Sequence, residues 1–206
     1  MAGFNVRSVL VTGANRGLGL ELVKQFLEKS NPPEWVFATC RDPEGERAQQ
    51  LKNLASRHPN LAIVALEATD PASIKAAATR VEEHLKSSGL NLLINNAGIV
   101  RLSTLESETP EDMSLVYATN VTGPLLVSQA ALNMLTKCQS LGYEGDGILS
   151  IAVHPGWVQT DMGSTGSHQA PLTVDVSVQG ILNVLPTLSK KDNGTFVNWE
   201  GKVLPW

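Results

Sequence analysis

Val9–Gly19, VLVTGANRGLG, is the stretch from which the rest of the chain is read. Val6 to Thr12 has the apolar, β-branched make-up of a short buried strand. From Gly17 to Lys29, Leu18, Leu22 and Phe26, together with Leu20, Val23 and Leu27, recur at helical spacing. The glycines stand at the junction. Gly13 sits where a side chain would clash in a tight strand-to-helix turn, and Gly17 and Gly19 let backbone N–H groups at the helix start approach a diphosphate. The competing reading is a plain tight turn. Placement between a strand and a helix favours a nucleotide ligand and an α/β fold.

The spacing T-G-x-x-x-G-x-G from Thr12 to Gly19 resembles the short-chain dehydrogenase/reductase family. That resemblance implies an α/β fold with a Rossmann-type doubly wound parallel sheet. It also implies a dinucleotide site that begins with Gly13, Asn15, Arg16, Gly17, Leu18 and Gly19.

Composition sets the bounds. The chain has 206 residues, 42% of them hydrophobic, and a net charge of -4, which suits one domain with a full-sized core; the resemblance implies that residues 1–206 are a single NADP-binding domain. Scattered Lys and Arg argue against a nucleic-acid footprint. No apolar run approaches the roughly 20 residues of a membrane span. Met1 to Arg7 has no signal-peptide core, and Cys40 and Cys138 lack metal-ligand spacing, so the expectation is a cytoplasmic protein with reduced, packed cysteines.

A second strand is expected at Trp35–Thr39 and ends at Cys40-Arg41-Asp42. The end of that strand faces the adenosine ribose, where an acidic residue accepts from a 2′-hydroxyl and a basic one accommodates a 2′-phosphate. Arg41, with Arg16 in the turn, therefore favours NADP(H) over NAD. The alternative is that Arg41 pairs with Asp42 or Glu44. Asp42 to His58 reads as a polar helix, and Leu61 to Leu66 as a third strand. By resemblance, Glu67 at its end lies near the adenine. Asp70 and Pro71 then open a helix as N-cap and first residue.

Leu90 to Ile94 is a fourth strand, running into Asn95-Asn96-Ala97-Gly98. This tetrapeptide matches the family, adding Asn95, Ala97 and Gly98 to the cofactor site. Thr109 and Pro110 start the next helix, which carries Asn120. Asn120 matches the family's helix asparagine, which implies a water-linked proton relay behind a catalytic lysine. A buried Asn that caps backbone is the alternative.

The family's next elements are a strand with a catalytic Ser and a helix opening with Tyr-x-x-x-Lys. Neither is here. The residues four after Tyr117 and Tyr143, the two tyrosines, are Val121 and Gly147. Asn120 is thus the remnant of the catalytic set. Thr122 to Tyr143 reads instead as continuous helix, as though one strand and part of a helix had been deleted near Ser128 to Ala131. A skipped exon would produce such a join.

Beyond it, Gly147–Val153 is read as a strand and His154-Pro155-Gly156-Trp157-Val158-Gln159-Thr160 as the family's nicotinamide loop. Pro155, Gly156, Val158 and Thr160 are its cofactor residues, with the Thr160 hydroxyl and loop backbone expected at the carboxamide. Asp161 to Pro171 matches the substrate loop, Val174–Leu188 reads as a helix and Gly194–Trp199 as the last strand. The ending and H-P-G-W-V-Q-T-D-M-G are similar to the branch holding bacterial C-factor and the insect carbonyl reductase sniffer. The resemblance implies an NADP-dependent oxidoreductase for a small carbonyl substrate, impaired or inactive without Ser, Tyr and Lys. The alternative is a catalytically dead NADP-binding scaffold or regulatory splice variant, pairing with a full-length relative.

Overall fold

The computed structural model describes residues 6–86, 88–104, 106–130, 145, 147–163 and 169–205. The chain divides into two compact units: residues 6–133, and residues 134–206 with 1–5.

In the first unit, β1 (Ser8–Val11), β2 (Trp35–Cys40), β3 (Leu61–Ala65) and β4 (Leu92–Ile94) form one parallel sheet in the order β3-β2-β1-β4. Val9 lies opposite Val36 on one side and Leu92 on the other. Continuous apolar runs suit a parallel sheet because both faces are covered. Leu10, Phe37 and Val64 face Ile74, Ala77 and Val81 of α3 (Pro71–Leu85) and Val127 of α5 (Gly123–Ala130). Val9, Val11 and Val36 are fully buried, as are Val23 and Phe26 of α1 (Gly17–Leu27). Each such side chain contributes roughly 1.5–3 kcal/mol relative to exposure.

Helix α3 begins as its sequence implies. Asp70 accepts from the Ala72 N–H at 2.9 Å and Pro71 occupies the first turn. The helix expected from Asp42 starts later, as a 3-10 turn at Glu46–Ala48 followed by α2 (Gln49–Ala55). The cause is local: the Asp42 carboxylate accepts from the N–H groups of Glu44 and Gly45, at 3.1 and 2.9 Å, and so holds a turn in place of a helix. Thr109 caps α4 (Pro110–Tyr117) by accepting from Asp112 N–H. A π-helical turn at Ala118–Thr122 joins α4 to α5. Cys40 is buried, which pushes its thiol up from the ordinary range, as suits a packing cysteine. Most of the continuous helix expected to Tyr143, and Cys138, lie outside the described residues.

In the second unit, β5 (Ala152–His154) runs parallel to β6 (Phe196–Asn198), which pairs antiparallel with β7 (Val203–Leu204). The strand expected from Gly147 is shorter because Ser150 N–H donates to the Asn193 side chain at 3.0 Å, outside the ladder. Helix α6 (Val174–Val184) ends before the expected Leu188, where Pro186 sits in a 3-10 turn at Leu185–Thr187. Strand β7 was not anticipated.

Candidate functional site

The glycine turn is bolted to the end of β4. Thr12, 1% exposed, accepts at its Oγ1 from the N–H groups of Asn96 (3.0 Å) and Ala97 (2.9 Å). In return the Asn96 Nδ2 donates to the carbonyls of Thr12 (2.9 Å) and Gly13 (3.1 Å). Gly13, at φ +62°, passes so close that a Cβ there would lie 2.9 Å from the Ala97 Cα. A Cβ on Gly19 would strike the Gly13 carbonyl and come within 2.6 Å of the Asn96 Nδ2. Gly17 also takes positive φ, +55°. Thr12 and Asn96, the two residues that fix this turn, were absent from the sequence-derived site. Their signal was the T-G and N-N pairs themselves.

The start of α1 fits a diphosphate. Arg16 stands at the N-cap without a side-chain cap bond, the first turn has no acidic residue, and the first helical bond is Leu20 N–H to the Arg16 carbonyl. Among the described residues nothing accepts from the N–H groups of Gly17, Leu18 and Gly19. They are the orphan donors that an anion satisfies at a helix N-terminus. An apolar groove of about 410 Å³, lined by Leu10, Ile74, Val81 and Leu93 among others, is a separate feature to which the turn contributes nothing.

At the end of β2, Arg41 is 72% exposed and its Nε lies 3.9 Å from Glu67, which also accepts from Thr69 N–H and hydroxyl at 3.2 and 3.1 Å. Arg41 pairs with neither of the expected alternatives: Asp42 holds its own turn and Glu44 meets Lys52 at 2.7 Å. Asn15 donates to the Arg47 carbonyl at 3.5 Å, drawing the Glu46–Ala48 turn toward the glycines. Asn95 donates to the buried Ser128 hydroxyl at 3.0 Å.

Gly98 lies beside Asn120, where a Cβ would stand 3.3 Å from the Asn120 Oδ1. The Asn120 amide spans the Ile99 backbone, accepting from its N–H at 2.9 Å and donating to its carbonyl at 2.8 Å. It is exposed, not buried, yet its side chain holds backbone as the alternative reading had it.

The second unit carries the remaining residues. Pro155 accepts from the buried Ser177 hydroxyl at 2.6 Å, and Gly156 turns at φ +86° with its N–H on the His154 Nδ1 at 3.0 Å. Val158 is buried and bridges Leu172. The Thr160 hydroxyl, expected at a carboxamide, accepts from Gly163 N–H at 3.1 Å. Trp157 Nε1 donates to the Gly163 carbonyl at 2.7 Å and Gln159 to that of Ala170 at 3.0 Å. No group of His, Cys, Asp and Glu among the described residues could hold a metal ion, and no described helix is long and apolar enough to cross a membrane.

The sequence model of short chain dehydrogenases matches residues 7–140. The chain belongs to the short-chain dehydrogenase family. Among solved structures of the family, the NADPH-bound carbonyl reductase from chicken fatty liver is 52% identical with a TM-score of 0.94, over 98% of this chain and 95% of that one. The carbonyl reductase Sniffer of D. melanogaster is 30% identical with a TM-score of 0.91, over 98% of this chain and all of that one. An uncharacterised oxidoreductase of Schizosaccharomyces pombe is 28% identical over 250 aligned positions, covering 95% of this chain and 96% of that one. The aligned length exceeds the 206 residues here, so part of that relative lies opposite gaps in this short-chain dehydrogenase.

Proposed function

We propose that this chain binds NADP(H) as a carbonyl-reductase-type short-chain dehydrogenase whose own turnover is impaired. The uncapped start of α1 carries the reading, with three backbone donors that an anion would satisfy and Arg16 at the N-cap, while Arg41 stands at the end of β2 beside Glu67. The NADPH-bound relative at 52% identity supports the same cofactor. Bound NADPH supplies a hydride to a carbonyl carbon. The chain would hold the diphosphate at Gly17–Gly19 and the adenosine end at Arg41 and Glu67. Pro155, Gly156, Val158 and Thr160 are assigned to the nicotinamide end.

The impairment rests on the sequence. A carbonyl oxygen that receives hydride to its carbon must also receive a proton, and the family's Tyr-x-x-x-Lys donor occurs nowhere in the chain. Asn120 cannot replace it, because its amide is spent on Ile99. Loss of a positioned acid removes about 10²–10⁴ in rate, and loss of Ser and Lys removes more. The second reading, a cofactor-holding scaffold or splice variant that associates with a full-length relative in the cytoplasm, follows from the same gap. The aligned length of the yeast relative supports a missing internal segment.

Thermal melting with NADPH, and with NADH as control, tests the cofactor reading. At 100 times its dissociation constant NADPH should add about 2.7 kcal/mol. An absent shift overturns it. Aldehyde or ketone reduction near the rate of a full-length relative would overturn the impairment. Co-elution with such a relative, or its failure, decides the scaffold reading.

A further inference from the structure

We propose that Asn193 and Gly194 form a site of spontaneous deamidation that the fold holds shut, and that isoaspartate formed there unfastens β5 from β6. They are the only Asn-Gly pair in the chain. In such a pair no side chain shields the glycine nitrogen. That nitrogen, its proton lost to solvent base, attacks the asparagine Cγ; the new C–N bond closes a succinimide and ammonia leaves. Water then opens the ring to aspartate or isoaspartate.

Both reacting groups are engaged in the folded chain, and by one residue. Gly194 N–H donates to the Ser150 carbonyl at 2.8 Å, while the Asn193 Oδ1 accepts from Ser150 N–H at 3.0 Å. Ser150 and Gly194 are buried. Ring closure needs the Gly194 nitrogen on the Cβ side of the Asn193 Cα–C bond, and at ψ 129° it stands well away from there. Thr195 fixes the turn, since its N–H and its hydroxyl both donate to the Asp192 carbonyl, at 3.1 and 2.6 Å. Immediately beyond, Ala152 N–H donates to the Thr195 carbonyl at 3.1 Å and the β5–β6 ladder begins. The two bonds to Ser150 are therefore the first rungs of that ladder. A local opening that breaks them also frees the reacting pair. Isoaspartate carries the main chain through Cβ, which shifts the Gly194 N–H relative to the side-chain oxygen, so Ser150 can no longer meet both. Modification thus makes the opening permanent, at the start of the strand that leads into Pro155 and Gly156.

Incubating the full chain in mildly alkaline buffer, folded or in urea, tests this. The peptide containing Asn193 is followed by mass spectrometry and its linkage read by electron-capture fragmentation. Modification at Asn193 should be at least about tenfold faster in urea than in the folded chain, because the folded chain reacts only through its open form. Thr195→Val removes one bond from the turn and leaves the Asn-Gly pair intact; it should speed the reaction in the folded chain and leave the rate in urea unchanged. Chain carrying isoaspartate, returned to native buffer, should melt at lower temperature and exchange the Ser150 and Ala152 amide protons faster than unmodified chain put through the same cycle. Equal rates in folded and unfolded chain, no reaction at Asn193 in urea, or isoaspartate that leaves melting and exchange unaltered would each overturn the proposal. These three outcomes are read on the unaltered chain, so the test stands even if Thr195→Val does not fold.

Discussion

Thr12 is the residue on which the glycine turn depends. One buried hydroxyl oxygen receives two backbone N–H groups from the Asn96–Ala97 peptide, and Asn96 answers with two bonds back. Thr12→Val keeps the shape and removes the acceptor, leaving two donors unpaired in the interior. Urea unfolding should register a loss of about 1–3 kcal/mol, and NADPH affinity should fall with it. A neutral effect would mean that water replaces the hydroxyl. The sequence disclosed the glycines readily, since their spacing relative to β1 and α1 is a local property. It did not disclose Thr12 or Asn96, because their importance comes from residues 83 to 85 positions away.

Among the elements, β1, β2 and β3 were legible as apolar runs and α3 by its Asp70-Pro71 start. Side chains competing for backbone groups moved the other boundaries. Asp42 delays α2, and Asn193 removes Ser150 from β5. Helix α3 ends on Lys86, which has φ +55° and ψ -114°, a backbone conformation that costs a residue with a Cβ. Lys86→Gly should therefore stabilise the first unit by about 1 kcal/mol, less the added chain entropy of glycine in the unfolded state. A lower denaturation midpoint would show that the Lys86 side chain contributes more than the turn costs.

At the scale of the molecule, the family match covers residues 7–140 and the structural relatives cover nearly all of the chain. If residues 1–206 work as one NADP(H)-binding domain, both units should unfold in one calorimetric transition, and NADPH should raise the whole of it. Two transitions, with only one responding to NADPH, would assign cofactor binding to a separately stable unit. The absence of Tyr-x-x-x-Lys was legible because a motif with fixed spacing can be searched for in the letters alone.

Strand β7 is two residues long, yet it covers one side of β6. A chain cut after Lys202 would lay bare the N–H and C=O groups of Phe196, which face β7, and leave an open sheet edge on which a second molecule can add a strand. Such a truncation should be judged by light scattering as well as by melting, because its first symptom would be self-association.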